Sequence, residues 1–182
     1  MTWIALGYRL AALPSRNRVY VWRKLKDFGA VYFESGVALL PQRPAVAERL
    51  EKLRADILRF GGHATLASMQ FLRREDDQSL VRRFDESVRE EYAQVEQAFC
   101  GLADTVRAAR EGRCTALCGD VLLASLRRAA KLQEKIRERD YFESAAGRAA
   151  GERYREAAEL IDAYLAQSPA GARRGSRPVA GT

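Results

Sequence analysis

The stretch Val31-Tyr32-Phe33-Glu34-Ser35-Gly36-Val37-Ala38-Leu39-Leu40-Pro41 decides how this chain is read. Two short apolar runs flank Glu34-Ser35-Gly36, which predicts two strands joined by a short hairpin turn. Upstream, Trp3-Ile4-Ala5-Leu6-Gly7-Tyr8 reads as a buried strand that stops at Arg9 and the Leu13-Pro14-Ser15 break. Ser15 is an N-cap candidate, because its hydroxyl can accept a bond from a free backbone N–H. Behind it Val19, Trp22 and Leu25 recur at helical spacing, and Gly29 ends the helix. Downstream, Pro41 and Pro44 bracket the exit from the hairpin, and Pro44 suits the first turn of a helix. Val46, Leu50, Leu53, Ile57 and Leu58 line one face of that helix until Gly61-Gly62, and His63 to Phe71 reads as a fourth strand. The resulting order is β-α-β-β-α-β, the ferredoxin-like split arrangement, and the fold class is α+β.

After Phe71 the pattern changes to helices. Asp76-Asp77 can cap a long helix carrying Leu80, Phe84, Val88, Tyr92, Val95, Phe99, Leu102 and Val106 in steps of three or four. Such a stripe runs ~50 Å at 1.5 Å per residue, too long for the small sheet alone to cover. Gly112 breaks it. Asp120 opens a second helix with Leu122, Leu126, Ala129 or Ala130, and Ile136 on its apolar side. Asp140-Tyr141-Phe142 reads as a packed turn. A third helix from about Ala146 carries Ala150, Tyr154, Ala157, Ile161 and Leu165, so two shorter helices can fold back on the long one. The division expected is a ferredoxin-like domain over residues 1–72, a helical bundle or hairpin domain over 73–167, and a disordered basic tail over 168–182.

Composition narrows the function classes without choosing one. The chain has 182 residues, 31 Lys+Arg against 24 Asp+Glu and a formal charge of +7. At 47% hydrophobic and 30% charged it fits a folded domain rather than a disordered chain. No apolar run approaches the ~18 residues a spanning helix needs, and Trp3-Ile4-Ala5-Leu6 is too short for a signal sequence. Three cysteines, an odd number, suit a reducing compartment better than a disulfide framework. The expectation is a cytoplasmic protein with no membrane partner.

Placement of charge is more informative than its sum. Residues 1–26 contain Arg9, Arg16, Arg18, Arg23, Lys24 and Lys26, and the first acidic residue is Asp27. With Val19, Trp22 and Leu25 buried, the helical cations fall on the exposed arc and its rim, where they can grip phosphates. Six phosphate contacts would give a log–log salt slope of about −5. The bland alternative is a solvated basic face. Arg173, Arg174 and Arg177 add charge to the tail, whereas Arg73-Arg74-Glu75-Asp76-Asp77 and Arg89-Glu90-Glu91 resemble ordinary mixed helix faces.

Little else in the chain carries chemistry. Cys114 and Cys118, with Cys100 nearby in sequence, match no common zinc spacing and read first as small hydrophobes. His63 is the sole histidine and follows Gly61-Gly62 as an exposed edge residue, so no Ser-His-Asp or Cys-His set assembles around it. There is no phosphate loop and no GxGxxG. No enzyme activity, cofactor or metal site is expected.

The N-terminal residues carry a resemblance. Trp3-Ile4-Ala5-Leu6 followed by Leu13-Pro14-Ser15-Arg16-Asn17-Arg18-Val19-Tyr20-Val21-Trp22-Arg23-Lys24-Leu25 resembles the opening of the N-terminal domain of the chromate-resistance regulator family, ChrB. Gly29-Ala30-Val31-Tyr32, Gly36 to Pro41, Gly61-Gly62-His63-Ala64-Thr65 and Ile136-Arg137-Glu138-Arg139-Asp140-Tyr141-Phe142 continue the likeness. It implies a bacterial cytoplasmic repressor of a chromate-efflux operon that releases its DNA when chromate appears. It also implies DNA contact through Arg16, Arg18, Arg23 and Lys24. Longer members carry a second domain linked to chromate response, so chromate sensing is expected to need more than these residues. The first half is also similar to the ferredoxin-like domain of CRISPR adaptation nucleases and phenylacetate-type repressors. Those nucleases place a metal-binding Asp at the end of the first strand, where Leu6-Gly7-Tyr8-Arg9-Leu10 has no carboxylate.

The leading expectation is therefore a DNA-binding transcriptional regulator that meets operator DNA through Arg16, Arg18, Arg23, Lys24 and Lys26. A homodimer would suit a palindromic operator, and an oxyanion such as chromate is the candidate effector. The competing expectation is a non-enzymatic interaction module whose long helix mediates dimer or partner contacts.

Overall fold

A computed structural model describes residues 1–11, 15–34, 36–113 and 119–167, with the backbone alone of Glu34. The Leu13-Pro14 break, Cys114 and Cys118, and the tail with its three arginines lie outside the described residues. The elements are β1 (Trp3–Arg9), α1 (Ser15–Asp27), β2 (Val31–Glu34), β3 (Val37–Pro41), α2 (Pro44–Arg59), β4 (His63–Met69), α3 (Arg74–Arg110), α4 (Gly119–Arg137) and α5 (Ala145–Gln167).

The four strands form one sheet in the order β2-β3-β1-β4, and every neighbouring pair is antiparallel. Register is set by the central strand, whose Leu6 lies opposite Ala38 of β3 and Leu66 of β4. A slip of one residue would turn Leu6 and every other β1 side chain to the wrong face, so the apolar pattern holds the register. The hairpin is irregular where it meets its turn. Tyr32 faces Ala38 and Glu34 faces Val37, which leaves Phe33 as the extra residue of a bulge, 42% exposed. Gly36 enters β3 at φ +80°, a conformation that a side chain would strain. Strand β4 pairs on one side only, and His63 at its start is exposed.

Contacts divide the chain into two compact units. The first comprises residues 1–88 with 139–142, and the second comprises 89–138 with the residues from 143 onward. The first has a core of Leu6, Val21, Leu25, Leu39, Leu40, Leu50, Leu53 and Ile57, joined by Leu80 and Phe84 from the start of α3 and by Tyr141. Trp3 is fully buried and lies parallel to Phe84 at a ring distance of 5.6 Å. Its indole N–H donates to Asp77 Oδ1 at 2.7 Å, and the chain's terminal amine donates to Asp77 Oδ2 at 3.1 Å. The indole bond, with help from the amine, holds the Asp77 carboxyl below its ordinary pKa. Asp76 and Asp77 thus sit within the first turn of α3, because the helix starts earlier than the acidic pair suggested, at Arg74.

The Asp140-Tyr141-Phe142 turn is packed for an identifiable reason. Tyr141 donates its hydroxyl to Phe28 O at 2.6 Å, and its ring meets Phe84 edge-on at 6.0 Å. Burial pushes the Tyr141 phenol upward in pKa. Gly29, at φ +69°, sits where an added Cβ would come within 2.7 Å of Arg139 Cβ, so only glycine admits this approach.

In the second unit, Tyr92, Val95, Phe99, Ala103 and Val106 of α3, Leu122, Leu126, Ala129 and Ile136 of α4, and Ala150, Ala157 and Ile161 of α5 are buried. The Ser144 hydroxyl caps α5 by accepting from Gly147 N–H at 3.1 Å. Arg107 and Arg153 both reach Glu156 and hold its carboxyl low, Arg153 contributing most. Outside α1, four side chains depart from the expected stripes. Leu58 is 45% exposed because Ile57 already takes the buried position of that turn; Leu102 is half-buried, Ala103 lying deeper; Tyr154 is exposed against the edge of Phe99; and Leu165 is half-buried.

Candidate nucleic-acid interface

Helix α1 buries Val21 and Leu25, not Val19 and Trp22. This corrects the stripe read from the sequence. Val19-Tyr20-Val21-Trp22 is apolar or aromatic all round one turn, so spacing alone admits two helical registers ending at Leu25. Packing selects the one that puts Val21 and Leu25, four residues apart, fully out of solvent. Val19 is left 43% and Trp22 50% exposed.

The other side of α1 is then a cationic arc with apolar residues at its centre. Arg16, Arg18, Arg23 and Lys26 are exposed, and Lys24 is half-buried at the rim. Arg18, Trp22 and Lys26 follow at steps of four, and Arg16, Val19, Arg23 and Lys26 at steps of three or four, so two basic rows share this face. Lys26 Nζ lies 5.7 Å from the Trp22 ring centroid, and Lys24 Nζ lies 5.7 Å from that of Tyr20. Both are cation–π contacts that orient the ammonium groups without neutralising them.

Tyr20 anchors the helix sideways. Its hydroxyl donates to Asp56 Oδ2 of α2 at 2.7 Å, and its ring meets Phe60 edge-on at 5.6 Å. The bond to Asp56 is the main reason the Tyr20 phenol is raised above its ordinary pKa. Asp56 also pairs with Arg59, so the nearest acidic group on α2 is already engaged.

Ion pairing separates this arc from the neighbouring helix α2. Among the described residues, none of Arg16, Arg18, Arg23, Lys24 and Lys26 pairs with a carboxylate. On α2, Lys52 pairs with Glu48 at 2.7 Å, Arg54 with Glu51 at 3.3 Å, and Arg59 with Asp56. Arg43 of the loop before α2 donates to Tyr141 O, and Arg49 lies 5.9 Å from the Phe28 ring centroid. The residues singled out from sequence thus spread around the solvent-facing arc of α1, with no carboxylate partner among the described residues. Sequence reading missed Val19 and Trp22 as members of that surface. The signal that could have placed them there was the apolar run itself, longer than one buried stripe needs.

Among the described residues, no group of three or more His, Cys, Asp or Glu side chains could hold a metal ion. Cys100 is a half-buried free thiol on α3. No helix among the described residues is long and apolar enough to cross a membrane.

An antiparallel four-stranded sheet with a surface helix whose cations lack carboxylate partners among the described residues defines an α+β domain with one basic side. Comparison with known proteins adds a family. The family described as Protein ChrB, N-terminal, matches residues 18–170, and the chain belongs to it. The relative Protein ChrB of Cupriavidus metallidurans is 26% identical over 163 residues, covering 90% of this chain and 47% of its own length. The chain thus spans about half the length of the curated relative it matches. No solved structure matches it.

Proposed function

We propose that this chain is the DNA-contacting part of a chromate-resistance regulator, a non-enzymatic cytoplasmic protein that binds operator DNA through α1. The carrying observation is the α1 arc, where Arg16, Arg18, Arg23 and Lys26 stand exposed around Trp22 with no carboxylate partner among the described residues. Cations left unpaired on a folded surface keep their full field for an incoming polyanion, and each phosphate they neutralise releases a counterion. Arginine also forks bidentately onto phosphate or onto a guanine edge. The ChrB relationship supports the same reading and supplies the regulatory context.

The fold reading that accompanies it is ferredoxin-like, supported by the β-α-β-β-α-β order and the all-antiparallel sheet β2-β3-β1-β4. A two-fold homodimer carrying one α1 per protomer fits a palindromic operator. Chromate is the effector the family suggests. The competing module reading took the long-helix stripe as a partner surface; Leu80, Phe84, Val88, Tyr92, Val95, Phe99 and Val106 are buried within the fold, and of that stripe Leu102 alone is half-buried.

Fluorescence anisotropy with a duplex from upstream of the chain's own operon tests the proposal, using a scrambled duplex as control and chromate present or absent. The expected result is sequence-preferring binding that chromate weakens. Binding indifferent to chromate keeps the DNA reader and moves sensing elsewhere. Equal, negligible binding to both duplexes at low salt overturns the proposal.

A further inference from the structure

We propose that a groove between α3 and α4 is a docking site for an acidic amphipathic helix of a protein partner. The groove, of about 820 Å³, lies within the second unit. Ala98, Gly101, Leu102 and Thr105 of α3 supply its floor at steps of three and four, and Ala129 and Leu132 of α4 extend it. Leu132 is 43% exposed, an apolar side chain left partly open to solvent among the described residues. Gly101 has open space where a Cβ would stand, so a visiting helix can approach the α3 backbone closely. The Thr105 hydroxyl already donates to Gly101 O at 2.6 Å and adds no unmet polar group to the floor.

One wall of this apolar floor is cationic. Arg128, Lys131 and Lys135 line it, no acidic side chain does, and none of the three is paired among the described residues. The neighbouring acid on α4, Glu134, is held by Arg137. An occupant must therefore offer apolar residues at helical spacing along one stripe and carboxylates along one flank, the pattern of helix-in-groove recognition. A nucleic-acid strand would use the cations but gain nothing from Leu102 and Leu132. A second copy docked two-fold on this face would bring the same three cations against themselves.

The test uses the full chain and a fluorescein-labelled peptide of about five helical turns, with leucines every third or fourth residue and glutamates along one flank. Two controls carry lysine in place of glutamate and the same residues scrambled. The glutamate peptide should bind at least about tenfold more tightly than either control. Lys131→Glu with Lys135→Glu, both exposed positions, should weaken it by about tenfold, as should Leu132→Glu, with unchanged circular dichroism melts. Replacing Arg16 and Arg23 by alanine should leave peptide binding unaltered, which separates this site from the α1 surface. Equal binding of the glutamate and lysine peptides overturns the proposal. So does a charge-reversed variant that keeps peptide binding but loses duplex DNA, which would make the groove a nucleic-acid surface.

Discussion

Helices α1 and α2 of the sheet unit are built alike and finished differently. Each buries a short apolar stripe, Val21 and Leu25 in α1 and Val46, Leu50, Leu53 and Ile57 in α2. Each also exposes several basic residues. On α2 acids stand three or four residues from Lys52, Arg54 and Arg59, and these three cations are paired, while the fourth, Arg49, lies against the Phe28 ring. On α1 the one acid is Asp27 at the last position, and five cations have no carboxylate partner among the described residues. The contrast teaches that basic content alone is a poor sign of a binding surface. Set against α2, α1 stands out by charge left without local neutralisation, whereas the exposed pairs of α2 add little to stability.

The comparison breaks first if the two faces of α1 are not separable. Leu25→Ala removes a fully buried side chain and should destabilise the chain by about 2–5 kcal/mol, read by denaturant melts. Trp22→Ala, at a half-exposed position of the same helix, should change stability by no more than about 0.5 kcal/mol. It should nevertheless weaken duplex binding severalfold, since the ring stands amid the cations. If Trp22→Ala proves as destabilising as Leu25→Ala, the exposed arc is wrongly placed.

A smaller effect concerns acid. The Asp77 carboxyl is held low mainly by the Trp3 indole, so the folded chain binds its proton less readily than the unfolded chain does. That contribution is fully present above the unfolded carboxylate pKa, about 4, and is lost as pH falls through the lower folded value. Asp77→Asn should accordingly flatten the stability profile on the acid side, with Trp3 fluorescence as the readout. An unchanged acid limb would contradict the indole bond.

The smallest effect lies at the contact joining the two helices. Tyr20→Phe deletes the bond to Asp56 and should cost at most about 1 kcal/mol, since the pair is exposed. Because the Tyr20 phenol is raised in the folded chain, its contribution is complete below the unfolded pKa of about 10 and disappears as pH climbs through the folded value. Ultraviolet titration should show Tyr20, Tyr32 and Tyr141 ionising earlier on unfolding, and Tyr20→Phe should remove one tyrosine's share of that difference.

Much of this architecture was legible in the residues. The hairpin around Gly36, the helix opened by Pro44 and the stripe from Leu80 to Val106 follow from turn chemistry and period, and all appear at or near their expected positions. Two features were not legible. Period cannot choose between registers when Val19 through Trp22 leave no polar gap, so the exposed Trp22 came only with packing. Nor does it tell which body the first turns of α3 join, because Leu80 and Phe84 continue the stripe without interruption while packing with Trp3 and the sheet. As for the candidate site, the sequence supplied the cations, but their lack of partners depends on where α2 places Asp56 and its other acids.

Salt dependence of duplex binding tests the central claim most directly. Wild type is compared with a variant carrying Arg16→Ala, Arg18→Ala and Arg23→Ala, and with one carrying Lys52→Ala, Arg54→Ala and Arg59→Ala. Loss of three phosphate contacts should reduce the log–log slope by about 2.7 in the α1 variant, while the α2 variant keeps the wild-type slope. Equal slopes for wild type and the α1 variant, or a flattening as large in the α2 variant, would contradict the account.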